Sequence, residues 1–216
     1  MKIKWCGNSY YIIEKDNVTI AIDPHDGYSL NLKPCYVDAD YIIITHNHYD
    51  HNAVEMSYGN KTKEIIRDIV GEKRIDNIRI EFYEMAHDKN GGKIFGKVKA
   101  FSLIIDGIKI VNLSDIGEKF NEFIKEVFSP VDILMIPVGG VTTINYLEAI
   151  EYIENLKPKI VLPMHYWIKG STLPYDSIDK FVNSINYKKI FMNSNEVNID
   201  LNTLPNDIQV FILKYN

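Results

Sequence analysis

The sequence predicts a mixed α/β fold with sheets packed together and helices outside, and three observations point that way. Short β-rich runs dominate the first half of the 216 residues, and amphipathic helical stretches alternate with apolar strands in the second. No linker, low-complexity tract or solenoid period interrupts the chain, so a single domain over 1–216 is expected.

The elements follow in order. Lys2–Trp5, Tyr10–Glu14 and Val18–Ile22 are strands, punctuated by Gly7-Asn8 and by Lys15-Asp16-Asn17, whose residue types favour turns. Tyr41–Thr45 is a run of Ile and Tyr without polar alternation, as in a strand buried on both faces. A helix is expected at Lys61–Val70, then strands at Ile78–Glu84, Lys99–Ile105 and Lys109–Asn112, the last two joined by the hairpin pair Asp106-Gly107. Glu118–Phe128 and Tyr146–Leu156 have helical periodicity, and each precedes an apolar strand, Ile133–Ile136 and Ile160–Leu162. A helix near Asp176–Ile185 and strands at Lys189–Met192 and Ile208–Leu213 complete the chain.

Composition narrows the function. With 46% hydrophobic and 25% charged residues the chain is an ordinary globular protein. Twenty-four basic against 29 acidic residues give a net charge of −5, which argues against a nucleic-acid-coating role. The longest apolar run, Val131–Val138, is broken by Asp132 and Pro137, so no membrane span is expected. The N-terminus lacks the apolar core of a signal peptide. Cys6 and Cys35 are too few for a disulfide framework and too far apart for a CxxC site. Both are expected to be inert buried thiols in a cytoplasmic protein.

The histidines carry the chemistry. The chain has six, and three of them fall within His46-Asn47-His48-Tyr49-Asp50-His51, a density that chance explains poorly. This cluster directly follows the buried-type strand Tyr41–Thr45, where side chains at a strand's C-terminal end converge on ligands. His46 and His48 alternate and so point the same way from extended backbone, while Asp50 and His51 reach a second point from the turn. Neutral imidazoles with a carboxylate suit Zn²⁺, with Mn²⁺ or Fe²⁺ as other occupants. Four donors in six residues exceed the needs of one open catalytic ion, so two adjacent ions are expected. His87, Asp115 and His165 each follow a predicted strand and repeat that placement, leaving only His25, which is expected at the surface.

These residues resemble the metallo-β-lactamase-fold hydrolases. His46-Asn47-His48-Tyr49-Asp50-His51 matches their H-x-H-x-D-H signature, and His87, Asp115 and His165 fall in the family's order. Trp5-Cys6-Gly7-Asn8-Ser9, Ala21-Ile22-Asp23-Pro24, Ile136-Pro137-Val138-Gly139-Gly140 and Pro163-Met164-His165-Tyr166 are similar to a branch of small, single-domain metal-dependent hydrolases that includes the L-ascorbate 6-phosphate lactonase-like proteins. The chain departs from the pattern at Asn8, where many relatives carry His, and at Ser114-Asp115-Ile116-Gly117, which replaces a frequent Gly-Asp-Thr-Gly. The resemblance implies a four-layer αββα sandwich with its site at one edge between the sheets. It implies that His46, His48 and His87 hold one ion, that Asp50, His51 and His165 hold the other, that Asp115 bridges them, and that Asp23 buttresses the metal loop.

Such a pair of ions lowers the pKa of a shared water toward ~7, making hydroxide available, and polarises the substrate oxygen. Asp50 or Asp115 is expected to shuttle a proton to the leaving group. The expected reaction is hydrolysis of an ester, lactone or phosphoester in a small molecule, with thioesters and amides in the same class. The lactonase resemblance implies an anionic substrate. Lys93 and Lys97 are the candidate cations for it, Gly140 in Gly139-Gly140-Val141-Thr142-Thr143 a candidate for backbone anion binding, and Tyr166 with Trp167 a candidate pocket wall. The same glycine loop is equally explained as a strand-to-helix connection capped by Thr143 or Asn145. Alternatives are an RNA or DNA phosphodiesterase, a di-iron redox protein on the same fold, and a non-catalytic metal-binding module. The first lacks a clamping domain, the second a flavodoxin-like domain, and the third is expected to have lost ligands that are all present here. Oligomeric state is open.

Overall fold

The computed structural model describes residues 1–215. Its strands are β1 (Lys2–Trp5), β2 (Tyr11–Lys15), β3 (Val18–Ile22), β4 (Tyr41–Ile44), β5 (Glu64–Arg67), β6 (Gly71–Ile75), β7 (Ile78–Ala86), β8 (Lys97–Ile105), β9 (Ile108–Asn112), β10 (Ile133–Pro137), β11 (Ile160–Met164), β12 (Lys188–Phe191), β13 (Glu196–Asn198) and β14 (Gln209–Ile212). The helices are α1 (Glu122–Phe128), α2 (Tyr146–Leu156) and α3 (Ile178–Ser184).

A six-stranded sheet runs in the order β13-β1-β2-β3-β4-β5 and an eight-stranded one in the order β12-β14-β11-β10-β9-β8-β7-β6. One main core joins them: Ile13, Ile20, Ile22 and Ile43 of the first sheet cluster with Ile80, Phe101, Leu103 and Ile110 of the second. The alternate residues of the first sheet, Ile12, Ala21, Ile42 and Ile44, point the other way and form a smaller cluster with Cys35, Val37 and Val54. This is the period-two alternation of a sheet covered on both faces.

All three α-helices contribute to the main core, through Ile124 and Phe128, through Tyr152 and Ile153, and through Phe181. The architecture is therefore a mixed α/β sandwich as expected, with unequal outer layers. Helices cover the eight-stranded sheet, whereas the outer face of the six-stranded sheet is covered by irregular chain that includes Cys35, Val37 and the 3₁₀ turn at Val54–Met56.

Local chemistry sets the boundaries. The β8–β9 hairpin turns on Asp106 (φ 52°) and Gly107 (φ 78°), both left-handed as a type I′ turn requires. Helix α1 starts at Asn121, whose side chain accepts from the Ile124 amide, and so is shorter than expected. At α2, Asn145 and Glu148 close a reciprocal capping box, which settles the role of Asn145.

Two expectations are overturned. Lys61–Val70 is not a helix: its centre is strand β5, paired in parallel with β4 through Ile42↔Ile65 and Ile43↔Ile66. The helical spacing of Ile65, Ile66, Ile69 and Val70 loses to the hydrogen-bonding edge that β4 offers. Cys6 and Cys35 are not free thiols but a disulfide with a Cα–Cα distance of 5.9 Å, tying the end of β1 to the strap over the first sheet. At a sequence separation of 29, such a link stabilises a fold by about 3–4 kcal/mol in the chain-entropy account. No helix among the described residues is long and apolar enough to cross a membrane.

Candidate metal centre

Strands β9, β10 and β11 are mutually parallel, and β7 shares their direction because β8 runs antiparallel to both β7 and β9. Their C-terminal ends thus lie along one edge. His87 follows β7, Asp115 lies three residues beyond β9, and His165 follows β11. The segment from His46 to His51 follows β4 of the other sheet, so ligands from two sheets meet at that edge.

The donors fall into two sets, His46–His48–His87 and Asp50–His51–Asp115–His165, each with its ligand atoms within 4.8 Å of one another. One atom, Asp115 Oδ2, is common ground. It lies 2.9 Å from His165 Nε2, 3.0 Å from His51 Nε2, 3.6 Å from His87 Nε2 and 3.9 Å from His46 Nε2. His48 Nδ1 sits 3.2 Å from His87 Nε2, and Asp50 Oδ2 sits 3.3 Å from His51 Nε2.

Supporting contacts hold these rings in place. His87 Nδ1 is 3.2 Å from the Thr142 carbonyl, which turns Nε2 inward. Thr45 Oγ1 is 3.0 Å from His46 Nδ1, while His51 Nδ1 lies 3.2 Å from Asp23 Oδ2. Asp23 accepts the Thr45 amide (2.8 Å) and hydroxyl (2.7 Å). Ser9 donates to Asp115 Oδ1 (3.2 Å), and Asn8 Nδ2 donates to Asp50 Oδ2 (3.1 Å). Asn8 thus occupies the position where a His was expected by resemblance and grips a member of the second donor set.

The backbone here is forced into uncommon shapes. Asn8 (φ 46°), Asp23 (φ 49°), Ser114 (φ 51°), Val141 (φ 64°) and His165 (φ 51°) are all left-handed, a concentration typical of functional sites. Two glycines are sterically obligatory. A Cβ at Gly139 would lie 2.2 Å from the His165 carbonyl oxygen, and one at Gly117 would lie 2.4 Å from that of His87.

Burial and neighbouring charges set the protonation of these groups. Burial, reinforced by His51, pushes His46 well below the usual imidazole range; burial and His87 also lower His48. Both therefore present lone pairs rather than protons. Burial alone would raise Asp115, but His165 and His51 beside it hold the carboxyl well below its ordinary value. Burial likewise opposes Asp50, where the His51 charge wins and lowers it. Burial would lower His51, yet Asp115 and Asp50 hold it well above the usual range.

The decisive observation concerns partners. His46 Nε2 and both ring nitrogens of His51 and of His165 are buried and make no hydrogen bond of good geometry, close as some lie to a carboxylate. Buried polar atoms in folded proteins are nearly always satisfied, and imidazole nitrogens crowded around an ionised carboxylate are a donor set that a cation satisfies. The donor chemistry fits a borderline metal such as zinc, manganese or iron.

A cavity of about 400 Å³ opens over this cluster, lined by Asn47, His48, Tyr49, Asp50, His87, Phe95, Asp115, Thr142, Pro174 and Tyr175. Lys93, Gly140 and Tyr166, expected to meet substrate, are not among its lining residues. Lys93 lies exposed, and Gly140 packs near Asn145. Tyr166 is buried against Trp5 (ring centroids 5.3 Å) beside a different cavity, which it shares with Trp167. Phe95, Thr142 and His165, close to them in sequence, do reach the site. His25, expected at the surface, is fully buried with Nε2 3.2 Å from the Cys6 carbonyl. Sequence reasoning missed Phe95, Thr142 and Tyr175. Only Thr142, in the glycine loop, carried a signal that could have found it.

The family comparisons agree with this geometry. A model of the beta-lactamase superfamily domain matches residues 2–165. A UPF0173 metal-dependent hydrolase of Nanoarchaeum equitans is 32% identical over 201 residues, covering 82% of this chain and 89% of its own. One from Thermococcus onnurineus is 30% identical, covering 77% and 84%. Among solved structures, a candidate Zn-dependent hydrolase of the metallo-beta-lactamase superfamily from Thermotoga maritima is 26% identical with a TM-score of 0.77, and 99% of each chain is covered. The chain belongs to the metallo-beta-lactamase superfamily. Within it, the protein is a metal-dependent hydrolase, the class of these relatives.

Proposed function

We propose that the protein holds two metal ions, preferably zinc, and hydrolyses an ester, lactone or phosphoester bond of a small molecule. In this reading His46, His48 and His87 hold one ion, Asp50, His51 and His165 the other, and Asp115 serves both. The observation that carries it is the convergence of four histidine nitrogens on Asp115 Oδ2, three of them without hydrogen-bond partners.

Bound there, the ions would supply an acidified water and Lewis-acid polarisation of the scissile group. The chain's own residues do the rest. Thr142 and Thr45 orient the His87 and His46 rings, and Asp23 holds His51. Ser9 keeps the outer oxygen of Asp115 occupied, so Oδ2 faces inward. Asp50 lines the cavity and is anchored by Asn8, which places its carboxylate to accept a proton from the attacking water and pass it to the leaving group. The net charge of −5 and the dimensions of the cavity favour a small substrate over a nucleic acid.

Elemental analysis of purified protein, with turnover assays on generic ester, lactone and phosphodiester substrates, tests this. About two equivalents of zinc with hydrolysis that chelator abolishes is the expected result. Two irons with oxygen or peroxide chemistry, or metal-loaded protein that hydrolyses none of the three, would overturn it.

A further inference from the structure

We infer that the substrate carries an uncharged aromatic or compact apolar group beside the scissile bond, rather than a phosphate or carboxylate handle. This rests on the hydrolase reading above. Among the described residues lining the cavity there is no lysine or arginine; the carboxylates there are Asp50 and Asp115 of the donor cluster. The walls instead are Tyr49, Phe95, Pro174 and Tyr175, with the uncharged Asn47 and Thr142.

Two rings flank the two donor sets. Phe95 stands against His87 of the first set, with ring centroids 5.5 Å apart at 45°, and Tyr175 against His165 of the second, at 4.1 Å and 30°. Both rings line the same cavity as Asp115, so a group bound there has an aromatic surface beside each donor set. Offset and tilted ring contacts reward a flat apolar guest and give nothing to a distal anion. An engineered apolar cavity of about 150 Å³ holds benzene, so 400 Å³ admits a ring together with the reacting group.

Lys93 and Lys97, which flank Phe95 in sequence, are exposed and do not line the cavity, and Lys89 and Lys99 are paired with carboxylates. Lys89 lines a smaller neighbouring cavity that shares Phe95 and Thr142 with the main one, but its ammonium lies 2.7 Å from Glu148 Oε1. Lys99 is paired with Glu84. Phe95 itself is held by a built loop rather than by chance. Asp88 accepts the amides of Asn90, Gly92, Ile94 and Phe95 at 2.7–3.0 Å, so a phenyl ring that is 37% exposed is nonetheless fixed at the mouth.

The test compares matched ester and lactone substrates on the metal-loaded enzyme: a phenyl-bearing member, the same compound with a para-carboxylate or phosphate, and a member without the ring. The phenyl compound is expected to show kcat/KM at least about tenfold above its charged analogue. Phe95→Ala should erase most of that preference through KM, a three- to tenfold effect consistent with one ring contact. Phe95→Lys should shift preference toward the charged analogue. A charged analogue preferred by the unmodified enzyme, or unchanged discrimination in Phe95→Ala, would overturn the inference while leaving the hydrolase reading intact. Absence of turnover on every member with metal bound would instead overturn the hydrolase reading and this one with it.

Discussion

The two donor sets are built differently. The set Asp50, His51, Asp115 and His165 is buried throughout, with His51 and His165 at zero exposure. Asp23, Asn8 and Ser9 brace it from behind. The set His46, His48 and His87 has one half-buried member, His48, and both His48 and His87 face the cavity. The four-residue set is the more heavily braced, with His51 and His165 sealed off and only Asp50 and Asp115 at the cavity, whereas the three-histidine set is more open through His48. A site divided this way keeps one position rigid while the other stays open to exchange, as catalysis requires.

The sharpest way to break the comparison is to remove what the two sets share. Asp115→Ala should abolish metal retention in both and lower kcat/KM by roughly a thousandfold or more, the scale of losing several kcal/mol of transition-state stabilisation. Elemental analysis beside kinetics checks it, and unchanged far-UV circular dichroism shows the fold is kept. Retention of two equivalents of metal would show that Asp115 is a bystander.

A smaller effect separates the sets. Asp23→Asn disturbs the support of His51 directly and that of His46 only through Thr45, so it should weaken metal affinity about 10–100-fold in the equivalent that His51 serves and less in the other. A chelator titration should then resolve a weak and a tight class where the unmodified protein shows one more cooperative loss. Equal weakening of both equivalents would contradict the division.

The smallest effect concerns the open side. Burial would raise the Asp88 carboxyl, but the amides of Phe95, Ile94, Asn90 and Gly92 outweigh it and lower the value to about 2. A depressed folded-state pKa means that the stabilisation is complete above the unfolded value of 3.8 and is lost as pH falls toward 2. Asp88→Asn should therefore speed hydrogen exchange at the Ile94 and Phe95 amides at neutral pH. That difference from the unmodified chain should fade between about pH 4 and pH 2. A difference that persists at pH 2 would place the order of the loop elsewhere.

How much of this was legible in the sequence follows from what each feature depends on. The cluster His46–His51 was legible because its donors are consecutive, and His87, Asp115 and His165 because each sits just past an apolar strand. The hairpin at Asp106-Gly107 was legible because its turn chemistry is local. Strand β5 was not, since Glu64–Arg67 has no strand alternation and takes its conformation from β4. The burial of His25 and the link between Cys6 and Cys35 depend on the strap folding back over the first sheet, and no local pattern encodes that return. The cavity walls were least legible. Phe95 and Tyr175 are ordinary aromatic residues in polar loops, and only the tertiary fold brings them to His87 and His165.

Gly117 and Gly139 carry a consequence for anyone comparing natural variants or scanning mutants. Neither belongs to the donor cluster or lines the cavity over it, yet even alanine at either would collide with the main chain of His87 or His165. A saturation library should therefore rank both as intolerant as the histidines themselves. Their invariance would record the room that backbone needs.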